Sequence, residues 1–173
     1  MSGLLGGLLH PLTTPAHALA LLALGLLVGQ QRGAARRVST TAFAAGLIAG
    51  LAAIASAVEP TAADAAVLVA AALAGLLVAL ALPLPLAVAA PLVALSGAAL
   101  GLDSPPQATS VTAAIAMLIG TGLGACLAFA VVATCAGRLA AAWQKIGMRI
   151  LGSWIAASAL LVLALRFARG QLL

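Results

Sequence analysis

Apolar runs of about 18 residues or more recur along this chain, parted by short breaks carrying Arg, Asp or Pro, and this pattern constrains the fold more than any other feature. In hydrocarbon every backbone N–H and C=O must be paired within its own segment or around a closed barrel. The runs consist of Ala, Leu, Val and Gly without period-2 alternation, which meets that demand as helices and not as barrel strands. With 65% apolar and 6% charged residues and a mean hydropathy of +1.26, the chain reads as an all-α integral membrane protein with one transmembrane domain over 1–173. A soluble fold is excluded.

The breaks divide the chain into six expected helices, at about 14–30, 38–58, 62–82, 84–101, 107–137 and 148–167. The residues before Thr14 read as a short apolar lead at the membrane surface. Thr14 is a natural N-cap, and Pro15 suits the first helical position, where no amide hydrogen is needed. Glu59-Pro60 stops the second helix, Pro83 and Pro85 turn the chain after the third, and Asp103-Ser104-Pro105-Pro106 turns it after the fourth. Pro91 is expected to kink the fourth helix, and the long fifth is expected to tilt or to break near Gly120-Thr121-Gly122. The first run lacks a positively charged flank and a small-residue cleavage site, so it is expected to be retained. Gly25/Gly29, Gly46/Gly50, Gly97/Gly101 and Gly120/Gly124 are small-xxx-small pairs that allow close helix approach.

A net charge of +5 and a pI near 11.3 would suggest nucleic acid in a soluble chain. Here the cations lie in loops and helix ends, where they fix topology and meet anionic headgroups. Arg32, Arg36 and Arg37 follow the first helix, and Arg138, Lys145 and Arg149 follow the fifth. Glu59, Asp64 and Asp103 fall at the other end. The positive-inside rule then puts both termini on the periplasmic side of a bacterial inner membrane, with Arg166 and Arg169 as the exceptions. It also gathers His10, His17, Glu59, Asp64 and Asp103 at the outer face. Cys126 and Cys135 are nine residues apart on one helix, roughly 13 Å along its axis, so they cannot bridge and are expected to be buried small hydrophobes.

Both histidines of the chain lie in His10-Pro11-Leu12-Thr13-Thr14-Pro15-Ala16-His17. Imidazole is a good ligand for nickel, cobalt, copper and zinc, and the two prolines can fold the lead back so that two rings reach one ion. The alternative is a His17 at headgroup level, bonded to loop carbonyls, and a helix N-terminus disfavours a cation there. Glu59 and Asp64 read as loop charges or caps, or else as further ligands. Ser96 and Thr121 either present a polar patch inside the bundle or bond their own backbone.

At these residues the sequence resembles the HupE/UreJ family, six-helix membrane proteins linked to nickel supply for hydrogenase and urease, whose first helix opens with His-Pro-x-Ser/Thr-Gly-x-Asp-His. His10, Pro11, Thr13 and His17 match in place, whereas Thr14-Pro15-Ala16 replaces Gly-x-Asp. A second family motif, His-Gly-x-x-His-Gly-x-Glu, aligns with the stretch from Ser96 to Asp103. It keeps Gly97, Gly101 and the acid Asp103, while Ser96 and Leu100 stand in place of the histidines.

The resemblance implies a secondary permease for a divalent transition metal, nickel or cobalt, with His10, His17 and Asp103 as the metal residues. The alternative is a divergent relative acting as a scaffold or as a carrier of another small solute. The sequence contains no phosphate-cradling loop and no catalytic set within the apolar runs, so no enzyme and no resident cofactor is expected. Expected partners are the bilayer and the metal ion, with homo-oligomerisation open and nucleic acid excluded.

Overall fold

A computed structural model describes residues 2–56, 62–82 and 84–170. Glu59, Pro60 and Pro83 lie outside the described residues. Seven helices follow in order: α1 (Ser2–Thr13), α2 (Pro15–Gly29), α3 (Gly33–Ala55), α4 (Ala63–Leu80), α5 (Leu86–Leu102), α6 (Val111–Arg138) and α7 (Ala142–Gly170). No strand occurs among the described residues. Four of them, α3, α4, α6 and α7, are long and apolar enough to cross a membrane; the bent pair α1–α2 makes a fifth if it is one span, and α5 is apolar but has only 17 residues.

The main departure from expectation is the N-terminal lead. Instead of a surface segment it is a helix that packs on α6, with Gly3 over Ala113 and Gly7 over Met117. Beyond a 71° bend, α2 continues along the second half of α6, Gly25 against Val132 and Gly29 against Ala133 and Ala136. The bend has a local cause. Pro15 has no amide hydrogen and pushes the residue before it out of the helical region. Thr14 sits at φ −90°, ψ 111°, between α1 and α2. It occupies the N-cap position without a side-chain capping bond, while its N–H closes α1 on His10 O at 3.1 Å.

All four glycine pairs lie at helix contacts. Gly46 and Gly50 face Ala94 and Ala98, Gly97 and Gly101 face Phe43 and Leu47, and Gly120 and Gly124 face Leu4 and Leu8. At Gly101 a Cβ would lie 2.6 Å from Leu47 O and 2.7 Å from Leu51 N, so α3 and α5 meet backbone to backbone. Without a hydrophobic force between helices in lipid, such van der Waals contact is the main source of association. Phe43 of α3 and Phe129 of α6 stack with centroids 4.1 Å apart and join this pair to the rest.

α2 is the central helix, with ten of its 15 residues buried, as an element apolar on every side should be. α7 instead exposes Trp154, Leu160, Leu161 and Phe167, a face suited to acyl chains. α6 is continuous, so the break considered near Gly120 does not occur. Cys126 is half-buried, but Cys135 is exposed on α6, contrary to expectation; both thiols are free. Asp64 pairs with Arg166, one of the two cations at odds with the charge pattern.

Candidate functional site

The break between α1 and α2 holds His10 in the last turn of one helix and His17 in the first turn of the next. A continuous helix would carry residues seven apart nearly 11 Å along its axis. The bend instead leaves the rings edge to face, with centroids 5.3 Å apart. His17 is wholly buried within the protein, and its Nε2 meets a carboxylate and not loop carbonyls.

Asp103 arrives from 86 residues away. It caps α5, and its Oδ2 lies 2.9 Å from His17 Nε2 while its side chain is 22% exposed. An ionised carboxylate only accepts, so Nε2 is the donating nitrogen and, in the neutral ring, Nδ1 keeps the lone pair. Nδ1 of His17 and Nε2 of His10 are both buried, and neither has a hydrogen-bond partner. Buried polar atoms are nearly always paired, so two orphaned nitrogens on neighbouring rings call for an explanation.

The surroundings favour a cation more than the sequence suggests. The N-terminus of α2 points its positive end at His17, but the C-termini of α1 and α5 bring their negative ends to the same place. Beside His10, a narrow crevice is lined by Ser104, Pro105, Pro106, Met117, Leu118 and Thr121. Ser104 is buried and donates to Leu100 O at 2.8 Å, which closes the end of α5 beside Asp103.

The structure thus brings together His10, His17 and Asp103. It does not add Asp64, whose carboxylate faces Arg166, and Glu59 lies outside the described residues. Ser96 donates to Leu92 O on its own helix, whereas Thr121 lines the crevice beside His10 together with Ser104. Among the described residues no group of three or more His, Cys, Asp or Glu side chains is arranged to hold a metal ion as it stands. The reason is that Asp103 is turned to His17 Nε2, so the free donors are two nitrogens. The spacing of His10 and His17 marked the pair in the sequence; nothing local could show that Asp103 would lock one ring.

No curated protein and no solved structure matches the chain. A family-wide pattern does: residues 1–162 of the 173 match the family described as HupE / UreJ protein, a span that takes in the broken helix, Asp103 and most of α7. This multi-pass membrane protein belongs to the HupE/UreJ family.

Proposed function

We propose that this chain is a secondary permease for a divalent transition metal, nickel or cobalt, in the bacterial inner membrane, serving urease or hydrogenase maturation. The observation that carries the reading is the histidine pair, a wholly buried His17 and a half-buried His10 with ring centroids 5.3 Å apart, each with a buried, unpartnered nitrogen. Two imidazoles bound to one ion at about 2.1 Å and a roughly tetrahedral angle place their ring centres about 5 Å apart. Nitrogen donors suit nickel and cobalt, and metal-bound histidine commonly donates its other N–H to a carboxylate. In this reading Asp103 positions His17 and holds its tautomer, and His10 Nε2 and His17 Nδ1 are the ligands.

Water and backbone oxygens complete the shell, which makes the site weak. A weak site suits a carrier that must release its ion. Family membership agrees with a nickel or cobalt accessory role, although Ser96 and Leu100, where the family motif has histidine, are buried on α5 and supply no nitrogen. The absence of a ready three-ligand set among the described residues favours the second reading, a family member carrying another solute or acting as a scaffold.

Uptake of radioactive nickel into cells separates the two, with cobalt and zinc as competitors and expression matched. The permease reading expects uptake above the vector control, competed by cobalt and reduced at least tenfold by either His10→Ala or His17→Ala. Wild-type uptake equal to vector would leave the second reading.

A further inference from the structure

Twelve residues beyond His17, about 18 Å along α2, the bundle ends in a second polar feature. The C-terminal ends of α2, α4 and α6 and the N-terminal ends of α3 and α7 surround a half-open cavity of about 380 Å³. Arg32, Arg36, Lys145 and Arg149 line it, and no acidic residue does. Among the described residues the ion pairs are His17–Asp103 and Arg166–Asp64, so none of these four cations has a carboxylate partner.

Capping of helix ends does not account for them. Each C-terminus supplies about −0.5 charge and each N-terminus about +0.5, so three of one and two of the other offset less than one cation. Arg149 is the one that caps, donating from Nε to Ala79 O at 2.9 Å. The remaining charge is held around one hollow, over a floor that includes Ala136, Leu139 and Met148.

Gln31 gives an independent sign of an acceptor ligand. It lines the cavity, and its Oε1 accepts from the fully buried Ser39 hydroxyl at 2.7 Å, which fixes the amide. Its Nε2 is buried and has no partner. Close by, α3 begins at Arg32 and Gly33 with no side-chain cap, so its first amides add uncapped donors to the same rim. Converging donors and cations without a carboxylate are the reverse image of a phosphate.

We propose that this cavity binds a phosphate-bearing anion, held by Arg36, Lys145 and Arg149 with Gln31 donating from Nε2. Guanidinium forks match phosphate oxygens, and the volume falls within the range of small-ligand sites, about 300–1,000 Å³. The phosphate comes either from an anionic phospholipid headgroup or from a free phosphate in solution. The site does not depend on the metal reading.

The test uses tag-free protein in a neutral maltoside detergent, unfolded by heat at constant ionic strength with phosphatidylglycerol, phosphatidylcholine or inorganic phosphate added. A ligand that binds only the folded form raises Tm in a saturable way. Phosphatidylglycerol or inorganic phosphate raises Tm by several degrees and phosphatidylcholine does not. Arg36→Gln and Lys145→Gln each reduce the rise, and Arg37→Gln, a neighbouring cation outside the cavity, leaves it intact. A rise with phosphatidylglycerol alone assigns the headgroup; a rise with inorganic phosphate as well assigns the free anion. The proposal is overturned if neither anion raises Tm, if phosphatidylcholine is as effective, or if Arg37→Gln weakens the effect as much as Arg36→Gln.

Discussion

His17 is made by its neighbours. An imidazole can ligate through either nitrogen, and the choice is set by what the other nitrogen donates to. The carboxylate of Asp103, 2.9 Å from Nε2, makes that choice from the end of α5. Removing the carboxylate leaves the ring buried but free to change tautomer. Asp103→Ala is therefore expected to lower nickel affinity about 10- to 100-fold, the usual cost of losing an outer partner, while both nitrogens proposed as ligands remain. Titration of purified protein with nickel checks this, and unchanged affinity would show that Asp103 has no part in the site. The pair of histidines was legible because both sit in one short stretch. The third partner was legible only through the second aligned motif, which sets Asp103 apart from the other two acids, since a contact across 86 residues leaves no local trace.

The elements owe their placement to glycine and to one proline. Gly97 packs so closely on α3 that a Cβ would lie 2.5 Å from Phe43 O and 3.0 Å from Leu47 N, whereas Gly6 on α1 has nothing within 4 Å. Gly97→Ala is expected to destabilise the protein by about 1–3 kcal/mol through overpacking. Gly6→Ala should be neutral or stabilise by up to about 1 kcal/mol, because alanine is the better helix former. Unfolding of the two variants in detergent checks the contrast, and equal effects would contradict backbone-to-backbone packing of α3 on α5. Six membrane-crossing helices were expected and four, or five with the bent pair, are long and apolar enough among the described residues; the helix order from α2 onward was legible in the Arg, Asp and Pro breaks. The starts of α3 and α7 were not, since both begin several residues earlier than expected, at Gly33 and Ala142. Arg36, Arg37 and Lys145 mark where a helix leaves hydrocarbon, not where its hydrogen bonds end. α1 was illegible for another reason: twelve residues cannot span a bilayer alone, and only the facing glycines of α6 show what it packs on.

At the scale of the molecule, two polar sites lie about 18 Å apart along α2 in an apolar bundle. The histidines and Asp103 lie at the α1–α2 break beside the middle of α6, and Arg32, Arg36, Lys145 and Arg149 surround a cavity at the far end of α2. By the positive-inside rule the basic loops are expected in the cytoplasm, with the histidine site toward the outer side of the cavity. Single cysteines placed in a background lacking Cys126 and Cys135 test that orientation. Ala108→Cys, exposed before α6, is expected to react with a membrane-impermeant maleimide in intact cells, and Ala34→Cys, exposed at the start of α3, only after permeabilisation. The reverse pattern would invert the topology and turn the histidines toward the cytoplasm.

The central claim, that one divalent ion is held between two imidazoles with Asp103 fixing one of them, can be read directly because the chain contains only two histidines. The measurement is nitrogen NMR of tag-free protein labelled with ¹⁵N-histidine, first without metal and then with substoichiometric nickel. The account predicts that one ring, absent as a signal in His17→Ala, carries its proton on Nε2. It further predicts that nickel broadens both rings together and that magnesium broadens neither. Rings that are untouched by nickel, or a His17 protonated on Nδ1 with Nε2 bare, would contradict it.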